Sequence, residues 1–341
     1  MESMNISKNI SLKPNNTFGI DVKAKFLSEI RSELQLKKIL SSHEFNSIPK
    51  LIIGGGSNIL LTKDFEGLVL KISIPDIEII SEDEETVEVK AGAGVIWHNL
   101  VLYCIERNFG GIENLSLIPG TAGAAPIQNI GAYGQELKNV FENLVGIFLS
   151  DSKPAKFTKE ECRFGYRDSI FKNELKDKFI VTYVTIRLHK NPLINIKYGN
   201  VRSEIDRMGY NNIGIKEVSD VICRIRLSKF PDPSKIGNAG SFFKNPEISE
   251  EKFASLKEKF NDIIGFNMGS GKVKIPAGWL IESCGWKGKM VGNTGAHAKQ
   301  ALVLVNYGNA SGKEILDLAN EIKESVKNKF DIDLKEEVNI I

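Results

Sequence analysis

The chain has 341 residues, enough for about two or three domains. Its 42% hydrophobic and 26% charged residues are typical of a soluble globular protein with a core. The 45 basic and 43 acidic residues leave a net charge of +2, which excludes a general electrostatic attraction to nucleic acid or membranes. No apolar run approaches the ~18 residues that a membrane span needs, and residues 1–16 are too polar for a secretory signal.

The cysteines and histidines are scattered along the chain and form no CxxC pair or ligand cluster. We therefore expect a reduced, cytoplasmic setting and no metal site. The residues concerned are Cys104, Cys162, Cys223 and Cys284, and His43, His98, His189 and His297.

In the first third of the chain, apolar spacing predicts two strands, a helix, and one further element that is either a strand or the start of a helix. Residues 50–53 predict a strand that enters a glycine triplet, and 59–61 begin another strand or a helix. Residues 87–90 alternate and predict a strand that ends at 91–94. Residues 97–107 have helical spacing, with Trp97, Leu100, Val101, Cys104 and Ile105 on one face.

The rest of the chain mixes helices and strands in the same way. Residues 179–188 predict a strand and 214–229 a helix, after which Pro231 opens a new domain. Ser311 and Glu314 form a capping box at the start of a helix that continues to Val326, and 331–334 predict a strand. Because no strict βαβ alternation appears, the fold class is α+β.

Two glycine-rich segments stand out for their low charge. One is GGGSN at 54–58, and the other is LIPGTAGAAPIQNIGAYG at 117–134. Neither fits the Rossmann or the P-loop pattern, and a lone glycine triplet is more often a structural turn. Together they favour a cradle for a large phosphate-bearing cofactor, because glycine lets main-chain N–H groups approach ligand oxygens.

Three further segments contain candidate catalytic groups. Arg167, in CRFGYRDS, could grip a carboxylate at two points, or could be a surface arginine paired with Asp168. Ser241, in GNAGSFFKNP, could donate a proton in a dry site, or could cap a turn. Glu336 and Glu337 lie beside an apolar end, where a solvated charged edge is the alternative.

Taken together, these motifs resemble the UDP-N-acetylmuramate dehydrogenase family, also called UDP-N-acetylenolpyruvoylglucosamine reductase. The resemblance covers nearly the whole chain. It runs through Asn16-Thr17-Phe18, GGGSN at 54–58, IPGTAGAAPIQNIGAYGQE at 118–136, CRFGYRDSIFK at 162–172, GNAGSFFKNP at 237–246, PAGWLIESCGWKG at 276–288 and EEV at 336–338.

The resemblance implies a vanillyl-alcohol-oxidase-like (PCMH-type) FAD-binding fold of two lobes with a C-terminal α+β substrate-binding domain. The lobes would cover residues 1–74 and 75–230, and the substrate-binding domain 231–330. Residues 331–341 would form a C-terminal strand that returns to the active site.

The implied activity is a step of bacterial peptidoglycan synthesis. NADPH reduces non-covalently bound FAD, and the flavin then gives a hydride to the enolpyruvyl ether of UDP-N-acetylglucosamine, which yields UDP-N-acetylmuramate. No side chain can transfer a hydride, so a cofactor is required. The resemblance assigns enolate stabilisation to Arg167 and Glu337 and the final proton to Ser241, all three over the reactive edge of the flavin.

The resemblance also implies binding residues. Tyr198 would lie on a mobile loop that covers the sugar nucleotide in the longer subclass of the family, and Lys229, Asn245 and Gln300 would contact the substrate. The residues expected at FAD are Gly54, Gly55, Gly56, Ser57, Asn58, Pro119, Gly120, Thr121, Gly123, Ala124, Asn129, Ile130 and Gly131.

One position departs from the family pattern. The family often has proline before the catalytic glutamate, where this chain has Glu336. We choose Glu337 as the catalytic residue because it directly precedes Val338, as in the family motif.

Two other functions stay open from the sequence. One is another FAD-dependent oxidoreductase on the same scaffold, such as an oxidase, which oxygen reactivity and a covalent flavin link would mark. The other is a non-enzymatic nucleotide-binding module, which would not need Arg167, Ser241 and Glu337 together. For the reductase we expect a cytoplasmic monomer that binds neither nucleic acid nor membrane.

Overall fold

The computed structural model describes residues 5–269 and 271–341. The polar N-terminal stretch therefore begins, at residues 1–4, outside the described residues. The chain divides into two compact units. The first holds Ala24–Gly56 and Phe65–Ser228 with the described residues up to Ile10, and the second holds Ser11–Lys23, Ser57–Asp64 and Lys229–Ile341. The borders expected at residues 74, 230 and 330 stay predictions.

Most strands of the first unit belong to two sheets. A four-stranded sheet has the order β1-β2-β5-β3, in which β2 and β3 run parallel to β5, and an antiparallel sheet has the order β11-β10-β12-β7-β6. The strands are β1 (Ile6–Ser11), β2 (Lys23–Ile30), β3 (Lys50–Ile53), β5 (Phe65–Ile72), β6 (Ile77–Glu82), β7 (Thr86–Gly92), β8 (Gly131–Ala132), β9 (Gln135–Glu136), β10 (Phe141–Phe148), β11 (Pro154–Thr158) and β12 (Phe179–His189).

Four helices accompany these sheets: α1 (Glu33–Leu40), α2 (Trp97–Ile105), α3 (Val201–Met208) and α4 (Ile215–Lys229). The buried face of α2 contains Trp97, Leu100, Val101 and Cys104, as the spacing predicted. Its Trp97 indole N–H donates to the Leu115 carbonyl at 3.0 Å. This bond joins the start of α2 to the segment that leads into the glycine-rich stretch.

The second unit contains the C-terminal part of the chain. Its largest sheet has the order β13-β19-β18-β17, and its smaller sheets are β14-β16-β15 and β20-β4. The elements are β4 (Ile59–Leu60), β13 (Gly237–Ser241), β14 (Glu247–Ser249), β15 (Phe266–Asn267), β16 (Lys272–Lys274), β17 (Met290–Val291), β18 (Thr294–Ala296), β19 (Val303–Asn306), β20 (Asn339–Ile340), α5 (Glu250–Lys259), α6 (Ala277–Ser283) and α7 (Gly312–Phe330).

The predicted helices and the strands at 50–53, 87–90 and 179–188 are confirmed, and 59–60 form a strand. Helix α7 begins with the capping box of Ser311 and Glu314. The strand predicted at 331–334 is wrong. Asp331 ends α7 in a left-handed conformation, with φ 53°, and residues 332–334 belong to no strand. These residues predict a strand because apolar Ile332 and Leu334 alternate with aspartates. In the structure, Ile332 and Leu334 are buried while their neighbours are exposed.

No helix in the described part of the chain combines the length and the apolar character that crossing a membrane requires.

Candidate functional site

The glycine-rich loop, defined here as residues 117–134, is held against the turn between β7 and α2. The Ala122 and Gly123 N–H groups donate to the Val95 and Ala93 carbonyls at 2.8 and 3.0 Å. A Cβ atom on Gly123 would collide with Ala93. The glycine is therefore required by a close approach between two backbones. Part of the loop, Ala122–Gln128, forms a 3-10 helix.

The two glycine-rich segments meet within the first unit. A Cβ on Gly54 would collide with the Thr121 side chain, and a Cβ on Gly55 would lie 3.5 Å from Gly120 Cα. Gly56 has a φ of 63°, which lets successive N–H groups face a common point. Among the described residues, the buried Thr121 Oγ1 lacks a hydrogen-bond partner. This close pair of glycine turns fits a bound pyrophosphate-bearing cofactor such as FAD.

Arg167 lies in a tight turn that is attached to the same loop. Gly165 and Asp168 form a bridge, and Arg167 has a φ of 51°. Its guanidinium donates to the Gly131 carbonyl, and the Asp168 carboxylate accepts from the Asn173 amide at 3.0 Å. The turn thus presents a cation directly beside the glycine-rich loop.

Asn129 ties this turn to the loop. It is fully buried, and its amide donates to the Glu136 carboxylate and to the Gly165 carbonyl, each at 3.0 Å. Its Oδ1 accepts the Lys138 N–H at 3.0 Å. The Asn129 side chain, which we expected at FAD, therefore makes all these bonds within the protein. Its part in the site is to fix the loop against the Arg167 turn.

Arg226, which the sequence reasoning missed, holds both ends of the glycine-rich loop. Its Nε donates to the Leu117 carbonyl at 3.1 Å, and its guanidinium is hydrogen-bonded to the Tyr133 side chain. Burial lowers the pKa of Arg226, and the like charge of Arg167 acts in the same direction. A sequence signal existed, because Arg226 follows the buried Ile222 by four residues on α4 and so shares its face.

His98 holds Leu117 from the other side. Its Nδ1 accepts the Leu117 N–H at 3.0 Å, and its Nε2 lies 4.0 Å from Cys223 Sγ. Leu117 has a φ of 57°, which is unusual for a residue other than glycine. Burial lowers the pKa of His98, and the nearby Arg226 cation adds to this effect. The neutral ring is the form whose Nδ1 can accept a hydrogen bond from the Leu117 N–H.

Ser241 lies at a bulge in the second unit. The register between β13 and β19 shifts between Asn238 and Ser241, where Ser241 pairs with Val303. Gly240 in this bulge has a φ of 71°, a conformation that glycine adopts without strain. The bulge places the half-buried Ser241 immediately before Phe242 and Phe243, which are fully buried.

Glu337 is brought to this position by a pairing far apart in the sequence. Its N–H donates to the Phe242 carbonyl at 2.8 Å, and its own carbonyl accepts from the Asn58 amide at 3.2 Å. The Glu336 carboxylate instead accepts from Lys323 of α7 at 2.6 Å. The second unit therefore brings the backbone of Glu337 to Asn58 and to Phe242, the residue after Ser241, whereas the Glu336 carboxylate is held in an ion pair.

The expected substrate-binding residues have different surroundings. Tyr198 is 57% exposed, in the first unit, and Lys229 is the exposed last residue of α4. Asn245 Oδ1 accepts the Ala277 N–H at 2.9 Å, so this side chain also caps α6. Gln300 is half-buried, and its Oε1 would lie 3.1 Å from a Cβ on Gly278.

The structure thus groups the predicted residues into two sets. Within the first unit it brings Arg167 to Gly131, and it brings Gly54 and Gly55 to Thr121 and Gly120. Within the second it brings the backbone of Glu337 to Asn58 and to Phe242, the residue after Ser241. The catalytic and binding roles of all these residues stay predictions.

Comparison with known proteins gives two family matches. Residues 232–341 match the C-terminal domain of UDP-N-acetylenolpyruvoylglucosamine reductase, and residues 24–152 match an FAD binding domain.

Relatives that match along their whole length carry the same name. The chain is 48% identical to the UDP-N-acetylenolpyruvoylglucosamine reductase of Amoebophilus asiaticus, over 99% of this chain and all of that protein. The enzyme of Pseudomonas aeruginosa is 45% identical over 99% of each chain. The crystal structure of the Thermus caldophilus enzyme has a TM-score of 0.69 and 23% identity, over 99% of each chain. The predicted fold class, a vanillyl-alcohol-oxidase-like FAD-binding fold with a C-terminal α+β domain, is confirmed.

Proposed function

The chain belongs to the UDP-N-acetylenolpyruvoylglucosamine reductase family, and we propose on that premise that it converts the enolpyruvyl ether of UDP-N-acetylglucosamine to UDP-N-acetylmuramate. The observation that carries this proposal is the 48% identity over the full length of a relative with that name. NADPH is the reductant, FAD is the non-covalent cofactor, and the reaction serves peptidoglycan synthesis.

The residues that would hold FAD are the two glycine turns in contact, at 54–56 and 119–131. When bound, FAD supplies the hydride transfer that no side chain can perform. The support for this assignment is the match of residues 24–152, which include both segments, to an FAD binding domain. Gly54 and Gly123 allow the close packing of these segments, since a side chain there would collide with Thr121 and Ala93.

Each catalytic residue has one task in the proposed reaction. A hydride added to the enol-ether methylene leaves negative charge on the neighbouring carbon and its carboxylate. The guanidinium group of Arg167 stabilises that negative charge. Glu337 assists Arg167 in stabilising the enolate. The Ser241 hydroxyl then gives its proton to the carbon that carries the negative charge. One hydride and one proton together saturate the double bond, and the serine regains a proton from solvent.

An anaerobic two-step assay tests the proposal. The yellow protein is reduced with NADPH until the visible flavin absorption is lost, and the enolpyruvyl sugar nucleotide is then added without oxygen. We expect prompt return of the absorption and formation of UDP-N-acetylmuramate. Return only after admission of oxygen would indicate an oxidase on the same scaffold, and a colourless protein that cannot take up FAD would indicate a nucleotide-binding module.

The setting of the enzyme belongs to the same proposal. We propose a cytoplasmic monomer with no nucleic-acid or membrane partner. The net charge of +2 and the four free cysteines support this view. Light scattering of the FAD-loaded protein would test it, and a mass of twice 37.9 kDa would contradict the monomer.

A further inference from the structure

Asn114 connects the glycine-rich loop with the tyrosine segment, defined here as residues 191–200. Only 2% of Asn114 is exposed. Its Nδ2 donates to the Tyr133 carbonyl at 3.0 Å and to the Asn195 carbonyl at 2.9 Å. Both amide protons are therefore used, one on each segment, within the first unit.

The tyrosine segment also packs on this unit through apolar contacts. Ile194 and Ile196 are half-buried against a cluster that includes Val201, Ile205 and Val218, and Tyr133 packs on the same cluster. Asn195 Nδ2 donates back to the Gly134 carbonyl at 3.4 Å. The segment is thus held both by the packing of its apolar side chains and by hydrogen bonds of amide groups.

These contacts also determine where Tyr198 lies. A Cβ on Gly134 would lie 3.3 Å from Tyr198 Cβ and 3.7 Å from Tyr198 Cδ2, so the Tyr198 side chain lies against the turn at the end of the glycine-rich loop. The residue as a whole is 57% exposed. The contacts of Asn114 therefore hold the two segments between which the partly exposed Tyr198 side chain lies.

We propose that Asn114 is a positioning residue. By donating hydrogen bonds to the Tyr133 and Asn195 carbonyls, it holds Tyr198 in the position that binds the sugar nucleotide. The inference rests on the proposed function, in which Tyr198 covers that substrate. An amide suits the position because it offers two N–H donors without charge. A carboxylate of the same shape would face two carbonyl oxygens with no proton to offer, and alanine would leave both partly buried carbonyls without this donor.

The first experiment separates substrate binding from the other steps in Asn114→Asp, with Asn139→Asp as the matched control. Asn139 is exposed in the same unit, and its amide donates to the Gln135 side chain. For Asn114→Asp we expect the KM for the sugar nucleotide to rise about tenfold, while kcat, flavin content and flavin reduction by NADPH stay within about threefold. Asn139→Asp should match the wild type.

A double-mutant cycle with Tyr198→Ala then tests whether Asn114 acts through the tyrosine. If it does, Asn114→Asp raises KM in the wild-type background and has almost no effect when Tyr198 is already alanine. An equal rise in both backgrounds would overturn the proposal, as would loss of flavin or an unchanged KM. If Asn114→Asp does not fold, Asn114→Ser, which keeps one donor, takes its place.

The proposed function and the role of Asn114 can be disproved separately. If the wild-type protein reduces its flavin with NADPH but cannot reduce the sugar nucleotide, the proposed function fails. If the wild type turns over normally and the cycle shows no coupling, only the role of Asn114 fails.

Discussion

The Arg167 turn of the first unit and the Ser241–Glu337 region of the second reach their geometry by different routes. Arg167 stands in a turn closed by its own neighbours Gly165 and Asp168, and a short motif surrounds it. Glu337 is positioned by Phe242 and Asn58, which lie far away in the sequence. A local motif therefore predicts the first region, whereas the second depends on strand pairing that no short motif contains.

The largest expected effect of a single substitution in the first region belongs to Arg167→Ala. Loss of the cation should slow reduction of the sugar nucleotide by about a hundredfold or more, since one such group is worth about 3 kcal/mol of barrier. Stopped-flow reoxidation of the reduced protein measures this rate. Arg163→Ala is the matched control, because Arg163 pairs with Glu174 in solvent. Equal rates for the two variants would remove Arg167 from the catalytic role.

The second region is tested by comparing Glu337→Gln with Glu336→Gln. We expect Glu337→Gln to lower turnover by about tenfold or more while fold and flavin are kept. Glu336→Gln should mainly weaken the partly exposed ion pair with Lys323, which has little effect on turnover. Steady-state kinetics on both variants decides between them, and the reverse ranking would show that Glu336 is the catalytic carboxylate.

A smaller effect is expected at Gly55, where the proposed FAD site consists of backbone without a side chain. Gly55→Ala adds a methyl group that the protein itself accommodates, since the nearest atom would be 3.5 Å away. If FAD lies against this turn, its dissociation constant should rise about tenfold, with unchanged thermal unfolding of the flavin-free protein. Flavin fluorescence titration measures the constant. Unchanged affinity would place FAD elsewhere.

The smallest effect concerns His98. Burial lowers its pKa from the ordinary 6.5, so the unfolded chain takes up a proton that the folded protein resists. The free energy of unfolding should therefore fall as pH decreases from about 6.5 toward the lowered value. In His98→Asn, whose Oδ1 can accept the Leu117 N–H, this part of the slope should disappear. Urea unfolding across a pH series compares the variants, and identical slopes would contradict the assignment.

The sequence predicts the local parts of this molecule well. The glycine loops, the α7 capping box and the strand at 179–188 follow from composition and spacing in short windows. It could not predict that Arg226 joins Leu117 to Tyr133, because a buried arginine on a helix face has no local signature of its partners. The strand expected at 331–334 failed for a related reason. An alternation of apolar and polar residues predicts extended backbone, but it does not show that a neighbouring strand exists to pair with it.

The central claim is that Ser241, whose neighbour Phe242 accepts the Glu337 N–H in the second unit, gives the final proton and takes no part in flavin reduction. The most direct test measures both half-reactions of Ser241→Ala by anaerobic stopped flow. Our account predicts flavin reduction by NADPH within about twofold of wild type and loss of reoxidation by the sugar nucleotide by about a hundredfold or more. An equal fall in both half-reactions, or normal reoxidation, would contradict it.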